Sequence, residues 1–186
     1  MIRVDDSPNI NLYQPQSTFI NPKKMSYIKE LMRTMPQVGK VEWVSVRPKA
    51  RGEVKALKEV EAVEGEGLVD DHYRNTGGKR QVTLIQAEHL AAVAYMLKTE
   101  VIDPELTRRN IVVSGINLLA FADQQFQIGD AVLAMTGLCH PCSRMEENLG
   151  EGGYNAMRGH GGITCRVVKG GKIKVGDAVK LAPASV

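Results

Sequence analysis

The stretch IGDAVLAMTGLCHPCSRM, residues 128–145, carries the reading of this chain. It begins with a Gly-Asp turn at Gly129–Asp130, in which glycine supplies a positive φ and aspartate hydrogen-bonds locally. The strand AVLAM (131–135) follows, and just past its end the loop TGLCHPCSRM (136–145) holds Cys139 and Cys142. His140 and Pro141 keep that loop from turning helical at once. A thiolate is the form of cysteine that attacks or ligates, and neighbouring cations favour it, a role open to His140 and Arg144.

The same turn recurs near the end of the chain, where VGDAVKL (175–181) resembles IGDAVLA (128–134). Other strand candidates are VEWVSV (41–46), the alternating VKALKEVEAVEG (54–65), QVTLI (81–85), NIVVSG (110–115) and ITCRVV (163–168). AEHLAAVAYMLKT (87–99) reads as a helix with Leu90, Val93, Ala94 and Leu97 on one face, and Asp103–Pro104 caps a short turn. Many short strands, glycine turns and few helices predict a mainly β, α+β domain, barrel-like with helical insertions.

Residues 1–40 read differently: an irregular arm over 1–20, then Asn21–Pro22 opening a helix. Met25, Ile28, Leu31, Met32 and Met35 give that helix one apolar face, packed on the outside of the domain, until Pro36 stops it. The expected organisation is this arm and helix over 1–40 and one domain over 41–186.

Composition narrows the function classes. Hydrophobic residues make up 43% and charged residues 24%, as in an ordinary globular protein able to bury a core without disulfides. The formal charge is +3, from 24 basic and 21 acidic residues intermixed, which argues against nucleic acid as a partner. No run of about 18 apolar residues suggests a membrane span. The polar start MIRVDDSPNINLYQPQ is unlike a secretory signal, and three cysteines are an odd number for a disulfide framework. The expected compartment is the reducing cytoplasm.

A single C-x-x-C leaves three readings open. Zinc wants four ligands, for which Cys139, Cys142, Cys165 and four histidines are available, without a second close pair. A thioredoxin-like redox pair would open a helix in a βαβ setting, unlike this β-rich context. Two buried cysteines would serve as small hydrophobes, although His, Pro, Ser and Arg in the loop are poor core material. Around the chain, Arg108 and Arg109 precede a strand, where adjacent side chains point to opposite faces and one at most enters a given site. Arg47, Lys49 and Arg51 alternate after another strand and would share a face, a cradle for an anion. Asp70, Asp71 and His72 read as a metal or acid–base group, or as loop capping. Lys79 and Arg80 read as part of a hairpin turn. The glycines of MRGHGGITCRVVKGGKI (157–173) lack a phosphate-loop ending and predict close backbone packing, with Cys165 a structural strand residue.

In order along the chain, GLVDDHY, RQVTLIQAEHL, RRNIVVSGINL, FQIGDAVLAMTGLCHPC, RGHGGITCRVVKGGKI and VGDAVKL resemble the MOSC domain, named for the C-terminal domain of molybdenum-cofactor sulfurases. The resemblance runs from about Val41 to Leu181 and is nearest to stand-alone bacterial members. It implies a mixed β-barrel-like fold and binding of the molybdenum cofactor (molybdopterin). The implied work is that of a cofactor-dependent reductase or a sulfurtransferase component carrying sulfur. In the similar mitochondrial amidoxime-reducing proteins, the second of two cysteines spaced like these coordinates molybdenum, which implies Cys142 as metal ligand or persulfide carrier, with Cys139 as its neighbour. Arg108 and Asn110 fall in the family's arginine–asparagine motif, and Arg47, Lys49 and His140 are further cofactor-binding candidates. The Val69–Asp70–Asp71 run departs from the family's usual Gly-Asp. The sulfurases' pyridoxal phosphate domain is not expected within this chain, so a separate sulfur donor or electron-transfer protein is the implied partner. A non-catalytic binding module of the same fold, or a small zinc protein using Cys139 and Cys142, are the alternatives.

Overall fold

The computed structural model describes residues 22–183. The arm expected over 1–20 and the cap at Asn21 lie outside the described residues. The chain divides into two compact units between Thr34 and Met35, six residues before the boundary expected from sequence. In the first unit, α1 (Pro22–Arg33) opens on proline and ends short of Pro36. Its Ile28, Leu31 and Met32 are exposed. Met35 lies beyond the helix rather than on its face, and packs against the core of the second unit.

The second unit holds the strands β1 (Gly39–Val46), β2 (Lys55–Leu57), β3 (Glu59–Val63), β4 (Gly67–Leu68) and β5 (Val82–Gln86). Helices α2 (Ala87–Leu97) and α3 (Pro104–Thr107) lead to β6 (Ile111–Ser114), and a 3-10 turn leads to β7 (Gln125–Ile128) and β8 (Ala131–Leu138). Short helices α4 (Arg144–Leu149) and α5 (Gly153–Ala156) precede β9 (Ile163–Lys169), β10 (Gly171–Lys174) and β11 (Ala178–Leu181).

Seven strands close a barrel in the order β11-β7-β8-β9-β5-β6-β1, with β1 pairing back onto β11 at Gly39↔Val179 and Lys40↔Ala178. Closure leaves these strands no free edge. Among the described residues only β5 and β6 pair in parallel, because α2 and α3 carry the chain across between them. The stretch 54–65, expected as one alternating strand, breaks at Lys58: β2 extends β1, whereas β3 joins a separate small sheet, β10-β3-β4. The break is where the chain passes from one sheet to the other.

Sequence pattern explains the two cores. In β5 all five residues are buried, as parallel strands covered on both faces require. Leu84, Ile111 and Val113 point into the barrel with the stacked pair Phe121–Phe126. Ile85 and Val112 point outward, where they meet Leu90, Val93, Ala94, Met145 and Met157. Asp103 caps α3 by accepting from the Glu105 N–H at 3.0 Å. The twin Gly-Asp turns serve different ends. Gly129 (φ 55°) closes the β7–β8 hairpin, while Gly176 (φ 95°) carries the chain from the small sheet into the barrel. The turns also meet, since a Cβ on Gly129 would strike the Asp177 carboxylate.

Candidate functional site around Cys142

The cysteine loop leaves the end of β8 and enters α4, and both ends are fixed. Cys139 is 3% exposed; its N–H donates to the Gly162 carbonyl at 2.8 Å. Cys142 is exposed, and its carbonyl accepts from the Met145 N–H at 2.8 Å, where Met145 anchors α4 in the outer core. Glu146 ties α4 to α5 by accepting from the N–H groups of Gly152 and Tyr154, both at 2.8 Å. These bonds hold the carboxyl below the usual carboxylate range.

The buried guanidinium of Arg109 holds the loop from beneath. Its Nε donates to the Gly161 carbonyl at 2.8 Å, Nη1 to that of Thr107 at 2.7 Å and Nη2 to that of Cys139 at 3.2 Å. Gly161 must be glycine for this approach, because a Cβ would run into the Cys139 carbonyl. Burial pushes the Arg109 pKa down, while Cys139 pulls it up, followed by smaller effects of Arg80, Cys142 and Tyr73.

Arg108 ends α3 in the left-handed region (φ 59°), so it is not the strand residue expected: β6 begins only at Ile111. The strand geometry behind the expectation that one arginine at most enters a site is absent, but the outcome is the same: Arg109 is buried with all three arms of its guanidinium on backbone carbonyls, which leaves Arg108 as the one of the pair free for a ligand. Burial lowers the Arg108 pKa, followed by the charges of Arg47 and Arg144, against an upward pull from Cys142 and Tyr73. Arg47 and Arg80 lie 5.3 and 5.8 Å from the Tyr73 ring centre, within cation–π range. Arg47 and Arg80 thus flank Tyr73, while Arg109 holds the cysteine loop and Arg108 precedes Arg109 in the cap of α3. Arg144 pairs with Glu147, but among the described residues Arg47, Arg80, Arg108 and Arg109 form no ion pair with a carboxylate.

Arg47 is aimed by its neighbours. His72 donates through Nδ1 to the Arg47 carbonyl at 3.2 Å and accepts at Nε2 from Arg47 Nη2 at 2.9 Å, an arrangement that needs the neutral ring. Burial, then the Arg47 charge, holds His72 below its ordinary value of 6.5. Arg47 is 7% exposed, and its Nε has no hydrogen-bond partner.

Asn110 braces the site from behind. Its Oδ1 accepts from Thr83 N–H (3.0 Å) and Oγ1 (2.8 Å), while Nδ2 donates to Asp71 Oδ2 (2.9 Å) and the Ser45 carbonyl (3.4 Å). The same Asp71 oxygen accepts from the Arg47 N–H, and Asp71 Oδ1 from the Tyr73 N–H, both at 2.9 Å. Asp71 therefore caps its loop.

The structure ties Arg47 to Asn110 through Asp71, and ties Arg109, between Arg108 and Asn110, to the carbonyl of Cys139, with Cys142 and His140 exposed in the same loop. It leaves Lys49 out. The shared basic face expected for Arg47, Lys49 and Arg51 does not form, because β1 ends at Val46 and the chain turns. Gly52 N–H donates to the Lys49 carbonyl at 2.9 Å, and Arg51 takes φ 63°. Sequence reading did not single out Tyr73, weighed Arg109 only alongside Arg108, and read Arg80 as part of a hairpin turn, since it follows a glycine turn like many surface arginines. Cys165 is buried in β9, and burial pushes its thiol well up. Among the described residues no three His, Cys, Asp or Glu side chains converge as a metal group, which leaves the zinc reading without a ligand set.

A closed seven-stranded mixed barrel, with a cysteine loop between β8 and a helix layer, defines the architecture. The MOSC domain profile matches residues 71–180, and the chain belongs to the MOSC domain family. Among solved structures it is similar to the YuaD protein from Bacillus subtilis, with a TM-score of 0.68 and 20% identity over 77% of this chain and 95% of that one. YiiM from Geobacillus stearothermophilus is similar with a TM-score of 0.64 and 16% identity, covering 80% of this chain and 77% of that one. YiiM from Escherichia coli follows with a TM-score of 0.59 and 17% identity, covering 78% and 71%. At these identities the likeness is one of fold. No curated protein sequence matches the chain. Among the described residues no helix is long and apolar enough to cross a membrane.

Proposed function

We propose that this MOSC domain binds the molybdenum cofactor at the arginine cluster, with the Cys142 thiolate as the protein ligand to molybdenum or as the carrier of a persulfide. One observation carries the reading: the exposed Cys142 thiol lies in a loop held through the Cys139 carbonyl by Arg109, whose chain neighbour Arg108 lacks a carboxylate partner among the described residues, while Arg47 keeps a buried Nε unpartnered. The donor set fits the group. Thiolate sulfur is a soft ligand, and planar guanidinium groups recognise phosphate. When bound, the cofactor supplies redox chemistry at its metal.

In this reading Arg47 and Arg108 hold the anionic tail, and His72 orients Arg47. Asn110 and Arg109 position the loops without touching the ligand, since their polar groups are engaged by protein. Cys139, buried beneath, supports the loop that presents Cys142, and His140 borders the entrance. Reductase or sulfurtransferase work would draw on a separate electron-transfer protein or sulfur donor. The three free thiols fit a reducing cytoplasm.

The test is metal and pterin analysis of the protein purified anaerobically from a cofactor-competent host. Pterin with molybdenum in the wild type, and molybdenum lost in Cys142→Ser, are expected. A folded wild-type protein with neither cofactor nor persulfide would leave the non-catalytic module as the reading.

A further inference from the structure

We propose that the Cys142 site also takes sulfane sulfur directly from a small sulfur oxyanion, with inorganic thiosulfate as the simplest member of the class. The proposal rests on the persulfide-carrying role of Cys142 given above, and adds the chemical class of the donor.

Four features select that donor. Cys142 is the exposed thiol, whereas Cys139 and Cys165 are buried, so one sulfur is open to a soluble reagent. Arg108 and Arg47 are free of carboxylate partners among the described residues, and Arg108 adjoins Arg109, which is hydrogen-bonded to the Cys139 carbonyl of the cysteine loop at 3.2 Å. The unpartnered, buried Nε of Arg47 is a donor left for an acceptor oxygen. Asp71, which accepts from the Arg47 backbone N–H, has its oxygens taken by three hydrogen bonds from protein groups and forms no ion pair with the Arg47 guanidinium. A compact dianion with oxygens at one end and a transferable sulfur at the other matches fixed cations beside a nucleophile.

The step balances without an added oxidant. The Cys142 thiolate attacks the outer sulfur of thiosulfate, and a sulfur–sulfur bond forms. The bond between that outer sulfur and the sulfonate sulfur breaks, and its electron pair leaves with sulfite. Cys142 is left as a persulfide anion. A thiophilic acceptor such as cyanide then takes the outer sulfur as thiocyanate and restores the thiolate. Loading takes place on the cofactor-free chain, because the same arginines would hold the cofactor's tail.

The experiment incubates the full-length, cofactor-free protein with thiosulfate under anaerobic conditions and reads intact and peptide masses. The expected result is a gain of one sulfur atom on Cys142, stoichiometric release of sulfite, and discharge by cyanide. Cys142→Ser should gain nothing. Arg108→Gln should load about tenfold more slowly, as expected for loss of a charge-assisted contact, with Arg108→Lys restoring part of the rate. Lys49→Ala, in its exposed turn, should load like the wild type. No mass gain, a gain mapped to Cys139 or Cys165, or equal slowing by Lys49→Ala and Arg108→Gln would overturn the proposal. If loading fails while pterin and molybdenum still bind, only this inference is lost; if both fail in a folded protein, the reading beneath it is lost as well.

Discussion

Arg109 donates through Nη2 to the carbonyl oxygen of Cys139 at 3.2 Å, so the cysteine loop is held by a charge buried beneath it. The same guanidinium reaches Thr107 and Gly161, which makes one side chain the junction of three segments distant in sequence. Such a charge is tolerated because every arm of the fork meets a carbonyl.

Replacing Arg109 by methionine should therefore destabilise the fold by about 3 kcal/mol, since it strands buried carbonyl acceptors in one step. Urea unfolding followed by fluorescence measures this, and a loss below about 1 kcal/mol would contradict the junction role.

Gly161→Ala acts on the same contact from the other side. The added methyl meets the Cys139 carbonyl, and Arg109 Nη2 lies 3.1 Å away, so the loop must shift. A cost of about 2 kcal/mol is expected for such overpacking, together with faster alkylation of Cys139 as the loop opens. An alanine variant as stable as the wild type, with Cys139 still protected, would show that the contact yields without consequence.

Thiol labelling separates the cysteines. Iodoacetamide should modify Cys142 in the native protein, whereas Cys139 and Cys165, 3% and 0% exposed, should react only on unfolding. Peptide mass spectrometry reads the order, and native labelling of Cys165 ahead of Cys142 would refute it.

His72 sets a pH dependence whose sign follows from burial. Its folded pKa lies below the ordinary 6.5, and that of His89 is lowered too, first by burial and then by His160. Below pH 6.5 the unfolded chain binds protons before the folded one does. Stability is therefore full above 6.5 and falls as pH drops from there toward the lowered folded values. His72→Gln should flatten part of that fall, measured as unfolding free energy between about pH 7 and pH 5. An unchanged slope would mean that His72 is not the neutral partner of Arg47.

The chemistry of single loops was largely legible in the chain. Alternation in VEWVSV, the apolar pairs of AEHLAAVAYML, the Asp103–Pro104 cap and the twin Gly-Asp turns each depend on neighbours a few residues apart, and each formed where local physics placed it. The position of Cys139 and Cys142 just past a strand was equally local. Where local reading failed, the cause was a boundary set from a distance. Arg108 and Arg109 looked like strand residues, but α3 ended in a left-handed cap that redirected them. Arg47, Lys49 and Arg51 looked like one face, but the chain turned immediately after Val46.

What the sequence by itself determined is the strand-rich barrel class and the cysteine loop, because patterning and turn chemistry act over a few residues. The order of the strands in the barrel decided which cations lie near one another. Arg47 follows β1, Arg80 precedes β5, Arg108 and Arg109 follow α3, and Arg144 opens α4, so their meeting depends on β5, β6 and β1 lying side by side. Burial then separated the two cysteines, leaving Cys142 at the surface and Cys139 beneath it, a distinction that their shared C-x-x-C spacing does not contain.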